Sequence, residues 1–337
     1  MKEKGKPIVV LMIMVSFFLV STPYAATPDY EFYKGKVINY IVATKPGGGY
    51  DAYARLIAKH MEKFIPGVTM IIRNIPGAGH IIGANETFHA KPDGLTIGTF
   101  NTGLIYSQIV GQSGIRFDLT KYSWVGKANS EMRVLIVGQK TPHKTIQELI
   151  QSKEPIKMPC AGIGSQDYNE TLILSEAFGA NFKPVPGYAG REGEMAILRG
   201  EVVGMIGSYT GLLTFIKAEG CRILLQFGSN RYPLSGIPTA SEQNLSPKAK
   251  SLVQLANNIC ELGRLTGAPP GVPPQRLEVL REAYKKTLAS PELLKAGEKM
   301  GLTFDPEYGE DVAKMMREAI NQPEENMAML KKIIKVE

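Results

Sequence analysis

VINYIVATKPGGGYDAYARLIAKHM, residues 37–61, changes its period in the middle. Val37-Ile38-Asn39-Tyr40-Ile41-Val42 has the length and β-branched richness of a buried strand. Pro46-Gly47-Gly48-Gly49 breaks it. The pattern resumes at helical spacing, with Ala54, Leu56, Ile57 and Met61 apolar and Arg55, Lys59 and His60 polar. Strand, glycine turn and helix N-terminus together present bare backbone N–H groups and the positive end of a helix dipole, which is an anion site in outline. Asp51 stands where a helix wants a side-chain acceptor. It also stands where it can meet a ligand donor, and the two roles are compatible.

The same grammar continues down the chain. Residues 68–72 make a strand before Ile75-Pro76-Gly77-Ala78-Gly79, with a helix expected over 82–90. Residues 95–100 make a third strand, and 124–126 and 134–137 are further strand-like pieces. A second set repeats the first. Residues 156–161 lead into Gly162-Ile163-Gly164-Ser165 and a helix over 168–178. Residues 182–185 lead into Pro186-Gly187-Tyr188-Ala189-Gly190 and a helix over 192–199, and 202–209 form the third strand. Gly47, Gly77 and Gly98 answer Gly162, Gly187 and Gly207, at offsets of 115, 110 and 109 residues. Alternation of this kind predicts two doubly wound α/β domains, with ligands taken at the carboxyl ends of the strands. If the domains face each other, all six turns line one cleft, as in a hinge-closing binding protein. A proline-glycine stretch, 267–274, introduces helices over 275–289, 292–299, 307–320 and 324–334. A helical tail packing back on the first domain makes that domain discontinuous, residues 27–133 plus 258–337, around a second domain of 134–257.

The ends and the composition set the address. Lys2, Lys4 and Lys6 precede an apolar run over 8–20 and then Ala25-Ala26, the layout of a secretory signal peptide over residues 1–26. Cleavage after either alanine, or retention, is compatible with it. Those residues hold three Lys and one Glu, so their removal lowers the net charge from +7 to +5. No basic run with interleaved aromatics is present, so no nucleic-acid partner is expected. Cys160, Cys221 and Cys260 fit one disulfide, with Cys160 and Cys221 both at strand ends, or three buried thiols.

Other chemistries fare worse. Residues 47–52 fit G-x-G-x-x-A after a strand, but Asp51 would face a pyrophosphate and no acidic residue closes the next strand for a ribose. No G-x-S-x-G elbow exists, and none of His60, His80, His89 and His143 has metal-ligand spacing. No catalytic residue, metal or cofactor is expected. Tyr50, Phe100, Tyr188 and Tyr209 fall at turn positions and suit an aromatic-walled pocket. Arg191 suits either a ligand carboxylate or a neighbouring glutamate.

Taken jointly, Pro46-Gly47-Gly48-Gly49-x-Asp51-x-x-Ala54-Arg55, residues 73–79, Pro92-Asp93-Gly94-Leu95-Thr96-Ile97, residues 162–165 and 187–190, and Gly236-Ile237-Pro238-Thr239 resemble the tripartite tricarboxylate transporter solute-binding proteins, the TctC-like or Bug family. The resemblance covers residues 36–321. It implies a periplasmic, monomeric, non-enzymatic receptor of Venus-flytrap form that captures a small carboxylate and delivers it to membrane permease subunits. An exported sensor handing the ligand to a signalling partner is the alternative, with a dinucleotide enzyme behind it. The family's two carboxylate-holding loops match residues 47–51 and 188–191, which brings in Gly48, Gly49, Tyr50 and Asp51, and Tyr188, Ala189, Gly190 and Arg191. Ala78, Gly79, His80, Ser165 and Gln166 adjoin them. Thr99, Asn101, Ser208 and Tyr209 complete the set at strand ends. The chain departs from the family at His80, where glycine is usual, at Tyr50, where Thr or Ser is common, and at Ser208-Tyr209, where an acidic residue is common. Those departures line the expected pocket, so the ligand is not transferable from relatives.

Overall fold

The computed structural model describes residues 27–228 and 234–334; the signal-peptide reading of residues 1–26 lies outside them. Eleven strands form among the described residues: β1 Val37–Val42, β2 Thr69–Asn74, β3 Thr96–Phe100, β4 Ser123–Lys127, β5 Met132–Gly138, β6 Ile156–Cys160, β7 Phe182–Pro186, β8 Gly204–Ser208, β9 Cys221–Gly228, β10 Leu265–Ala268 and β11 Glu307–Tyr308. The first sheet runs β11-β4-β10-β3-β1-β2. Within it β1 is parallel to β2 and β3, whereas β10 is antiparallel to both β3 and β4. The second domain holds the parallel pair β6-β7 and the antiparallel set β8-β5-β9.

The expected duplication shows in part in this order. β1, β2 and β3 match β6, β7 and β8 in sequence, but β3 pairs with β1 whereas β8 pairs with β5 and not with β6, so the second domain holds two sheets where the first holds one. Each domain also takes in one antiparallel strand lying just past a chain crossing, β10 beside β3 and β5 beside β8, flanked by β4 and β9 respectively. The arrangement is two α/β domains with a cleft between them.

Burial explains the elements. The helix Gly49–Met61 buries Tyr50, Tyr53, Ala54, Leu56, Ile57, Ala58 and Met61 on one side, and the helices Pro274–Leu288 and Pro291–Met300 pack over it. Proline at the first helical turn starts the helices Pro247–Cys260, Pro274–Leu288 and Pro291–Met300, where a missing N–H costs nothing. The tail therefore returns to the first domain. Its last helix, Glu324–Ile333, goes further and packs against helices of both domains, Gly103–Val110 and Gln166–Phe178.

The two domains touch directly. Asn101 Oδ1 accepts from the backbone N–H of Gly103 at 2.8 Å and of Gln166 at 3.2 Å. Ser107 Oγ donates to the Gly164 carbonyl at 3.1 Å, and Asn169 Nδ2 donates to the same carbonyl at 3.0 Å. Two glycines make this approach feasible. A Cβ at Gly103 would stand 2.4 Å from the Gln166 nitrogen, and one at Gly79 (φ +61°) would stand 2.3 Å from the Ile163 carbonyl oxygen. Cys160, Cys221 and Cys260 are buried free thiols, so the Cys160–Cys221 disulfide is not formed.

Candidate functional site

Between the domains lies a cavity of about 170 Å³, reached by or flanking all six strand-end turns. Thr44, Lys45, Gly48, Gly49 and Tyr50 come from the first turn, Pro76, Gly77, Gly79 and His80 from the second, and Asn101 from the third. The second domain contributes Ala161 and Asp167, Ala189, Gly190 and Glu194, and Met205 to Ser208 with Gly211 and Leu212. Arg133 and Arg264 complete the wall. No helix among the described residues is long and apolar enough to cross a membrane, and no His, Cys, Asp or Glu group among them is placed to hold a metal.

Gly48 caps the helix Gly49–Met61 without any side-chain bond, and the helix Glu192–Arg199 likewise starts without one. The Gly49 and Tyr50 N–H groups are thus left for a ligand or water at the positive end of the first helix's dipole, whereas the Glu192 N–H is closed on the Ala189 carbonyl at 3.4 Å. Gly49 faces a guanidinium: a Cβ there would stand 2.9 Å from Arg264 Nη2. Arg264, at φ +54°, is buried. Its guanidinium carbon lies 4.1 Å from the Tyr50 ring centroid and 5.0 Å from that of Tyr53. Nη1 pairs with Glu131 at 2.5 Å, and Nη2 donates to Ser208 Oγ at 2.8 Å. Arg133 donates from Nε to Glu170 at 2.8 Å and from Nη2 at 2.6 Å, and its Nη1 lies 3.9 Å from Glu131. Burial works against charge on both guanidiniums, but the carboxylates prevail and hold both protonated. Burial raises the Glu170 carboxyl, with Arg133 opposing.

His80 is 7% exposed, adopts φ +82° and leaves Nδ1 without a hydrogen-bond partner. Burial lowers its imidazole, with Asp167 opposing, so the ring is neutral at neutral pH. Glu194 is 5% exposed, and burial raises its carboxyl, with Arg191 opposing.

The sequence-expected residues divide into two groups. Gly48, Gly49, Tyr50, Gly79, His80, Asn101, Ala189, Gly190 and Ser208 line the cavity. The others are engaged elsewhere. Asp51 is the third residue of its helix and not the cap. Its carboxylate turns back to accept from Gly47 N–H at 3.0 Å, Arg55 Nε at 2.9 Å and Asn74 Nδ2 at 2.9 Å, stitching the first turn to the end of β2. Ala78 is exposed on the far side of its turn, and Thr99 is held within β3. Ser165 Oγ closes its own turn on the Gly162 carbonyl at 2.6 Å, and Gln166 Nε2 donates to Glu170 at 2.8 Å. Tyr188 packs on the apolar cluster of the second domain, while Arg191 is an exposed helix cap. Tyr209 lines a separate cavity with Asn129, Thr210, Leu234 and Thr303. Absent from the expectation were Lys45, Arg133, Asp167, Glu194 and Arg264. The available signal was positional: Glu131-Met132-Arg133 puts charges at the mouth of an apolar strand, and Arg264 directly precedes β10.

A sequence model described as "Tripartite tricarboxylate transporter family receptor" matches residues 53–334. The chain belongs to that family of receptors. Its members are solute-binding receptors and not enzymes. Within the family, the chain is 27% identical over 282 residues to the UPF0065 protein of the tcbD-tcbE intergenic region of Pseudomonas sp. strain P51, covering 81% of this chain and 80% of the relative. Its fold is similar to that of the periplasmic binding protein BugD, with a TM-score of 0.74 at 22% identity over 90% of this chain and 99% of BugD. It is also similar to MatC of Rhodopseudomonas palustris, solved with bound malate, with a TM-score of 0.73 at 21% identity over 89% of this chain and 99% of MatC.

Proposed function

We propose that this chain is an extracytoplasmic receptor that captures a small carboxylate in the interdomain cavity and delivers it to the membrane permease of a tripartite tricarboxylate-type transporter. The observation that carries the reading is the convergence of Arg264 and the side-chain-free N-terminus of the helix Gly49–Met61 on one small cavity between two jaws. A carboxylate there gains charge-assisted hydrogen bonds. The malate in MatC and the leader-like residues 1–26 agree with capture outside the cytoplasm. In this reading the jaws are residues 27–133 with 258–337, and residues 134–257; the chain passes from the first sheet to the second between β4 and β5 and returns between β9 and β10, with β5 starting at Met132 and the helix Pro247–Cys260 running three residues past the second boundary. The site consists of the cavity-lining turns, with Tyr50 and His80 shaping selectivity, and the chain works as a monomer.

A thermal-shift screen of mono-, di- and tricarboxylates tests this. A true ligand raises the transition temperature with concentration, because at a hundred times its Kd it stabilises the fold by about 2.7 kcal/mol. The reading fails if no carboxylate shifts the transition and a dinucleotide does.

A further inference from the structure

Three of the charged groups on the cavity wall already have opposite charges of their own. Lys45 pairs with Glu192 at 3.0 Å, Arg133 with Glu170 at 2.6 Å and Arg264 with Glu131 at 2.5 Å. Asp167 is settled by the backbone N–H groups of Ala161 and Tyr168. Glu194 is different. It lines the cavity at 5% exposure, yet among the described residues it makes no hydrogen bond or ion pair. The cation that bears on it, Arg191, is exposed on the preceding turn. Its carboxylate opens on the cavity with no donor from the chain, so a donor on the ligand is the partner that would satisfy it. With every lining cation matched, the wall has no surplus positive charge for a second or third ligand carboxylate. His80 Nδ1, unpartnered and buried, adds a neutral acceptor or donor.

We infer that the cavity takes a carboxylate that also carries an ammonium group, and that Glu194 is the residue selecting the ammonium. The ligand's carboxylate goes to the helix N-terminus at Gly49 and to Arg264, and its ammonium donates to Glu194. This rests on carboxylate capture in the cavity and narrows it from organic anions in general to zwitterions. Ligands with several uncompensated carboxylates meet Glu194 as a like charge and are rejected.

Isothermal titration of the purified chain with two matched series tests the inference. Each series puts hydrogen, hydroxyl or ammonium at the same carbon, one on a butyrate frame and one on a glutarate frame. The expected result is that an ammonium member binds about tenfold or more tighter than its hydroxyl and unsubstituted partners. Glu194→Gln collapses that preference by about tenfold, and Glu194→Asp keeps part of it. An unsubstituted or hydroxyl member binding as tightly as the best ammonium member overturns the inference while leaving carboxylate capture standing, and so does a Glu194→Gln variant with the preference intact. If Glu194→Gln does not fold by circular dichroism, the wild-type ranking alone decides. If no member of either series binds and the carboxylate screen is also blank, carboxylate capture fails and takes the inference with it.

Discussion

Gly49 and Arg264 contend for one volume. A side chain at Gly49 enters the space of the Arg264 guanidinium at 2.9 Å, while its backbone is ordinary for a first helical residue. Gly49→Val is therefore expected to abolish carboxylate binding in a chain that still folds, with a lowered thermal transition because the buried Arg264 must shift away from Glu131 and Ser208. Wild-type affinity in that variant would remove the turn from the site. Asp51 is engaged within the turn instead. It joins three donors around the turn, so Asp51→Asn costs about 1–3 kcal/mol of stability. Burial opposes its charge, but the bonds from Arg55, Gly47 and Asn74 hold the carboxyl below the usual range. A lowered folded value means the stabilisation is whole above the unfolded value near pH 4 and is lost as pH falls through the folded one. The stability gap between wild type and Asp51→Asn, read by urea titration, should thus be full at neutral pH and shrink below about pH 4. A gap independent of pH would mean the carboxylate charge does not matter there. The stretch 37–61 displays the turn legibly, but it does not reveal which way Asp51 points, because its partner Asn74 stands at the end of another strand. Arg133 and Arg264 are illegible for the same reason: Arg133 meets Glu170 37 positions away, and charge alone does not name a partner.

At the level of elements, legibility follows periodicity. The helix Glu192–Arg199 and the strands β1, β6 and β7 show in the sequence because each has one clear pattern. The helix Gly103–Val110 does not. Its sequence GLIYSQIV is buried almost all round, between both domains, so it has no polar face to mark a helical period. β10 is four residues, LTGA, at the head of a proline-glycine stretch, and only its pairing with β3 and β4 makes it a strand. Gly103 gives this junction a function. Its missing Cβ lets the helix reach within contact of the Gln166 backbone, which belongs to the other jaw. Gly103→Ala should then hold the jaws apart: small-angle scattering should show no compaction on adding ligand, and affinity should fall about tenfold or more. Compaction equal to wild type would show that the jaws close without this contact.

Over the whole molecule, the proposed capture site and the chain crossings share the same ions. Glu131 stands at the first crossing between domains and Arg264 at the second. Their pair ties the two crossings together beneath the cavity, while Arg264 also reaches Ser208 in the second domain and the Tyr50 ring in the first. Arg264 therefore has a structural role beside the binding role proposed for it, and a single substitution cannot separate them. Arg264→Ala leaves Glu131 buried beside fewer cations, which costs roughly 3–5 kcal/mol. Arg264→Met with Glu131→Gln removes both charges at similar volume, and such replacements of buried pairs are often neutral or stabilising. The expected pattern is a thermal transition that drops in Arg264→Ala and recovers in the double variant, with carboxylate binding lost in both. Because the recovered fold still presents the turns and the helix N-terminus at Gly49, a double variant that regains affinity would assign Arg264 to the frame alone and leave capture to the backbone N–H groups.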